Sequence, residues 1–293
     1  MASSEKKRTN LIYFSPQHWG ELDRFIRLYH ETYKFDERTL HILHGVAGHF
    51  HKATTLLRLA RSMSPAIKED GEELEAKGHS SGLRGAELAA VVETVFCELY
   101  SAIGCGRHII SEIYRGFRGV TSKKTRAFFQ NAFDGQLDER LPVEIREACQ
   151  QAKWFNELRR LRDAVIHSNV GSCHLDETAG KIRYFQESLR AGDKAFFIDD
   201  VFEKIELFHR DVNLFLGKIF KVLNRTLKDN EIWQMCGVFN SLIYTRYVRP
   251  SEAIDFNSGR CDALTWFERE GNQRCPLADN CGAYKKGKEL LPA

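Results

Sequence analysis

At 293 residues the chain is long enough for one large domain or two smaller ones, and 43% hydrophobic with 28% charged residues is an ordinary globular balance. Such a chain buries a core without disulfide or metal staples. The net charge of +3 is too small to specify a polyanion partner, so the placement of positive charge matters more than its sum. The opening MASSEKKRTNLIYF lacks the apolar stretch and cleavage pattern of a secretory signal, and no run approaches the apolar length that a bilayer span needs. The eight cysteines, Cys97, Cys105, Cys149, Cys173, Cys236, Cys261, Cys275 and Cys281, are therefore expected as reduced thiols in a cytoplasmic chain with no membrane partner.

Residues 16–62 read as helices. Trp19, Leu22, Phe25, Ile26 and Tyr29 recur at helical spacing, and Leu40, Leu43, Val46, Phe50, Leu56 and Leu59 mark a second segment. After Pro65 the polar KEDGEELEAKGHSSG has no periodic apolar face and reads as a linker or exposed loop. From Leu88 the run to Phe117 is apolar around most of its circumference, as a central buried helix is. Further helices are expected over Lys123–Phe133 and Val143–Ile166, divided by the loop DGQLDERLP. Residues 170–197 mix β-branched and aromatic residues with turn formers, which fits a hairpin or extended insertion. Asp200 with Glu203 resembles a capping box and opens an amphipathic helix through Val201, Ile205, Phe208, Val212, Phe215, Ile219 and Leu223. Ile232, Met235, Phe239 and Leu242 predict one more helix before a loop-rich, cysteine-bearing tail. The expected class is all-α. The expected division is an N-terminal helical region with a polar linker (1–87), a helical domain (88–228) and a C-terminal helix with its tail (229–293).

The most informative stretch is RRLRDAVIHSN, residues 159–169. It places a fixed cation, a carboxylate and a proton-transfer group, Arg162, Asp163 and His167, within six residues. This arrangement resembles the Arg-polar-x3-His signature of the HEPN superfamily, whose active members are metal-independent ribonucleases. The resemblance covers about Leu88 to Thr226. It implies a HEPN-like bundle of four or more helices, here with a small β-hairpin insertion and extra N- and C-terminal helical segments. It also implies Arg162, Asp163 and His167 as the catalytic residues. Asn169 stands where some members carry a tyrosine that matters to one toxin–antitoxin subgroup, a departure that argues against that subgroup. Asn169 would contact phosphate, hold His167 in place, or simply cap the helix.

On a continuous helix Arg162 and His167 lie about 140° apart around the axis, so one subunit does not converge them on one atom. Asp163 and His167 are four apart and share a face, which suits Asp163 to orienting the imidazole. Either the helix breaks near the motif or a two-fold dimer pairs two copies. The HEPN resemblance implies the second, and a symmetric dimer is the commonest assembly. Leu158, Leu161 and Val165 would then face the core. In the competing structural reading Arg162–Asp163 is a surface ion pair and His167 a cap favoured by the helix macrodipole.

RNA cleavage by the 2′-hydroxyl needs proton removal, protonation of the leaving 5′-oxygen and stabilisation of the added negative charge. Histidine carries protons near neutral pH and arginine holds the pentacoordinate phosphate, so no cofactor is required. The resemblance implies 2′,3′-cyclic phosphate and 5′-hydroxyl products. Arg107, Arg115, Arg118, Lys123, Lys124 and Arg126 are opposed only by Glu112 between residues 107 and 126. Lys153, Arg159 and Arg160 add charge near the motif, and Tyr114 and Phe117 interleave, as on surfaces that stack bases and neutralise phosphates. Arg159, Arg115, Arg118, Lys123, Lys124 and Asn169 are the expected RNA contacts, with the end of the long helix bordering the cleft.

Two weaker constellations remain. His41, His44, His49 and His51 crowd one segment without the carboxylate spacing of a zinc protease, and read as a polar helix face. CPLADNC (275–281) resembles the last part of the iron–sulfur loop of some DNA glycosylases, over seven residues and without the two closely spaced cysteines before it. Cys261, Cys275 and Cys281 are candidate ligands of a structural zinc or iron–sulfur site, completed by Cys236 or a histidine; free thiols in a compact tail are the alternative. The functional expectation is an endoribonuclease in defence or growth arrest, acting on RNA as a homodimer, with a regulatory partner or antitoxin. The alternatives are a non-catalytic HEPN-like RNA-binding or dimerisation module and a metal-dependent nucleic-acid protein.

Overall fold

A computed structural model describes residues 11–14, 19–121, 124–167, 170–191, 194–239, 241–272 and 274–290. In chain order the first elements are β1 (Leu11–Phe14), α1 (Glu21–Leu28), α2 (Glu37–Met63), α3 (Lys68–Lys77), α4 (Leu83–Ile113), α5 (Thr125–Phe133), α6 (Val143–Gln151) and α7 (Phe155–His167). There follow β2 (Ser172–Asp176), β3 (Lys181–Ala191), β4 (Lys194–Ile198), α8 (Val201–Asn224), β5 (Ile232–Phe239), β6 (Leu242–Val248), β7 (Arg260–Cys261), α9 (Leu264–Phe267) and α10 (Gly282–Glu289). The all-α expectation is thereby corrected. Helices dominate, but two antiparallel sheets are present, ordered β1-β5-β6-β7 and β2-β3-β4. The chain is mixed α and β.

It divides into two compact units, one of residues 35–219 and one of residues 1–34 with 220–293. The expected boundaries at 87/88 and 228/229 do not follow these units. In the larger unit α4 is the central helix, with Leu88, Val92, Val95, Phe96, Leu99, Ile103, Ile109 and Ile110 fully buried. By length and composition α4 would pass for a membrane span, which qualifies the expectation that no run is long enough. Its apolar face is covered instead by the bundle. The neighbour α2 buries Leu43, Val46, Ala53 and Ala60, and Gly45 lets the helices approach, since a Cβ there would stand 3.2 Å from Cys105 Sγ.

The polar stretch expected as a loop is the helix α3. Its Glu and Lys residues are good helix formers, and Gly78 ends it at φ 72°. It is docked by Asp70, whose carboxylate accepts from the amides of Arg84 (3.3 Å) and Gly85 (2.8 Å) at the start of α4. The helix expected over 143–166 is split. Ala152 leaves the helical region (φ −75°, ψ 49°), and Phe155 stacks on Phe129 with ring centroids 3.9 Å apart. The expected hairpin over 170–197 gains a third strand, because Phe197 on β4 packs across from Phe185 on β3 at 5.0 Å. Asp200 caps α8, accepting from the amides of Phe202 and Glu203.

In the smaller unit the helix expected through Ile232, Met235, Phe239 and Leu242 is the β5–β6 hairpin, with Phe239 paired to Leu242. Ser241 takes φ 65°, and the segment's Ile, Val, Tyr, Phe and Trp content favours strands. The helical spacing was a coincidence of the strand residues on either side of a tight turn. The core here is Phe239, Tyr244, Leu264, Phe267, Ala278, Cys281, Ala283 and Tyr284.

Candidate functional site

The motif helix α7 buries Phe155, Leu158 and Leu161; Val165, expected on the same stripe, is only half-buried. Arg162 lies over the ring of Tyr100 on α4, 4.9 Å from its centroid, and Tyr100 in turn stacks on Phe155. Asp163 accepts from Arg159 Nη1 at 3.0 Å and from Arg162 Nη1 at 3.1 Å. Its carboxylate therefore orders the two arginines, and not His167 as the four-residue spacing suggested. His167 is the last residue of α7 and is exposed. The helix stays regular through the motif, so Arg162 and His167 remain on different faces, as helix geometry requires.

The chain leaving the motif is fixed by a residue that sequence reasoning missed. Glu93 on α4 is buried (4% exposed), and its Oε1 accepts from the Gly171 amide at 2.6 Å and from the Tyr184 hydroxyl at 2.7 Å. Burial and the adjoining Glu93 charge push the Tyr184 phenol up. A Cβ on Gly171 would fall 2.5 Å from Phe185 O, so only glycine fits this close approach. The sequence signal was present: a glutamate set between the apolar runs Leu88–Val92 and Val95–Phe96, and a glycine four residues after the histidine.

The basic residues are not gathered at the motif. Arg107 is buried, and burial lowers its pKa. Arg115 is exposed and pairs with Glu112 at 2.5 Å. Arg118 and Lys124 are exposed, and Arg118 is anchored through its amide to Asp138 at 3.0 Å. Glu93, which holds the motif exit, lies 20 residues before Ile113 at the end of α4, or about 30 Å of helix. Arg115 and Arg118 sit beyond that end and do not border His167 in the same chain. Near the motif, Arg160 stacks over Phe196 at 5.3 Å. Lys123 and Asn169 lie outside the described residues.

The histidines of α2 do not act together: His49 donates toward α4, 2.6 Å from Glu98 Oε2. In the smaller unit, by contrast, Cys261, Cys275 and Cys281 line one pocket, joined there by Cys236. Among the described residues no group of three or more His, Cys, Asp or Glu side chains stands at the spacing of a single metal ion. Compared with family models, curated proteins and solved structures, the chain matches none.

Proposed function

We propose that the chain is a metal-independent endoribonuclease that works as a two-fold dimer, with α7 from each copy supplying half of the site. The reading is carried by His167, which ends α7 exposed between two exposed apolar residues, Ile166 (48%) and Val170 (58%). An imidazole set in an apolar rim is what a symmetric partner would cover. One histidine transfers one proton at a time, whereas in-line cleavage needs a base on the 2′-hydroxyl and an acid on the 5′-oxygen. Two copies of His167 supply both. Arg162, steadied by Asp163 and Tyr100, carries the permanent charge that holds the phosphorane, and Arg159 and Arg160 extend the positive surface for the flanking backbone. Single-stranded or loop RNA is the expected substrate, since its flexible backbone permits in-line geometry. A role in defence or growth arrest under a regulatory partner follows from the HEPN resemblance.

The test is cleavage of structured RNA by the purified chain in excess chelator. Activity that survives chelation and falls by roughly 10²–10⁴ in His167→Ala and in Arg162→Ala supports the reading. RNA binding without cleavage makes the chain a binding module, and activity abolished by chelation makes it a metalloenzyme.

A further inference from the structure

In the smaller unit four cysteines far apart in sequence line one small apolar pocket. Cys236 comes from β5, Cys261 from β7, Cys275 from the segment before α10, and Cys281 from the N-cap of α10. All four are free thiols. Each arrives by its own device. A register shift between Met235 and Gly237 takes Cys236 out of the regular ladder, as a bulge does when it re-aims a side chain. Cys261 is held in register opposite Arg246. The bonds Ala278 N to Cys275 O (3.1 Å) and Cys281 N to Leu277 O (2.9 Å) curl CPLADNC so that both its cysteines reach the pocket. Gly282 then packs against Asn257, donating to its Oδ1 at 2.9 Å.

Two buried polar groups of the same pocket point to a ligand. Arg246 is 2% exposed and Tyr244 3%, yet Arg246 Nε and the Tyr244 hydroxyl find no hydrogen-bond partner among the described residues. Arg246 spends Nη1 on the carbonyls of Phe256 and Ser258, which fixes a full positive charge beside Cys236. Arg246 thus presents a buried cation to the four thiols, hydrogen-bonded to Cys236 but with its Nε unmatched among the described residues. A coordinating thiol is deprotonated outright by a bound cationic centre, which would set negative charge opposite Arg246.

We propose that Cys236, Cys261, Cys275 and Cys281 ligate an iron–sulfur cluster, with Arg246 as its buried counter-cation and hydrogen-bond donor. A single zinc ion would need sulfurs roughly 3.8 Å apart, from Zn–S bonds of about 2.3 Å in a tetrahedron. Among the described residues no such group is present. A cluster places several metal ions between its thiolates and spreads them more widely, which suits ligands that share a pocket without meeting at one point. The four thiolates and the cluster carry net negative charge that Arg246 offsets. The cluster ties β5, β7 and α10 together, and this assignment is independent of the ribonuclease reading.

The experiment is elemental analysis of the full chain, purified without oxygen and then reconstituted with ferrous iron and sulfide. Iron and acid-labile sulfide in equal amounts, with visible charge-transfer absorbance, are expected. Both should be lost in Cys→Ser variants at each of the four positions and kept in Cys97→Ser and Cys105→Ser. Zinc without sulfide, no iron after reconstitution, or a cluster that survives substitution of any two of the four cysteines would overturn the assignment. The parent chain alone decides the first two outcomes, so a variant that misfolds does not shelter the proposal.

Discussion

At the scale of single residues, Glu93 carries the firmest consequence. It is a buried carboxylate whose two neutral donors, the Gly171 amide and the Tyr184 hydroxyl, lie on segments following the motif helix. Removing the acceptor strands two buried donors, each costing about 1–3 kcal/mol. Glu93→Ala is thus expected to lower stability by roughly 2–4 kcal/mol in urea unfolding, and Glu93→Gln by less, since it keeps a carbonyl oxygen for both bonds. An alanine variant within about 0.5 kcal/mol of the parent would show that Glu93 does not hold this junction. Asp163 teaches the complementary lesson. Its spacing to His167 was legible, but its oxygens are taken by Arg159 and Arg162, because a carboxylate with two guanidinium groups in reach binds the permanent cations.

At the scale of elements, α2 is tied to α4 by Glu98, which accepts from His49 Nδ1 at 2.6 Å and Lys52 Nζ at 2.5 Å. Burial pushes the Glu98 carboxyl up, but the bonds to Lys52 and His49 outweigh it and leave the group below its ordinary value of 4.5. A carboxylate depressed in the folded state adds stability above its unfolded pKa, and that stability is lost as pH falls below about 4.5. Glu98→Gln should therefore be less stable than the parent at pH 6, with the gap narrowing as unfolding is measured toward pH 3. A gap that stays constant across this range would remove Glu98 from the acid response. The elements themselves were unequally legible. The pattern of α2, α4, α5 and α8 follows from 3.6-residue periodicity. The β5–β6 hairpin was misread, because a few apolar residues straddling a tight turn happen to fall at helical intervals.

For the whole molecule, the proposed site needs two copies of the chain. Ile166 and Val170 flank His167 as exposed apolar residues, so Ile166→Asp is expected to yield monomers by mass measurement and to abolish cleavage while leaving the fold intact. Titrating His167→Ala chains into the parent should depress cleavage more steeply than the parent fraction falls, because each mixed dimer keeps only one of the two histidines that the step uses. Cleavage that falls only in proportion to the parent fraction would place the chemistry within single chains.

The sequence by itself determined the main helices, the capping of α8 by Asp200, and the angular separation that keeps Arg162 and His167 apart on one helix. All of these follow from local period and backbone geometry. Tertiary structure alone decided that Glu93 holds Gly171, that Arg115 and Arg118 lie far from His167, and that Cys236 joins Cys261, Cys275 and Cys281. Those relations connect residues distant along the chain. They depend on strand register, a bulge and helix packing, none of which leaves a periodic trace in the amino-acid order.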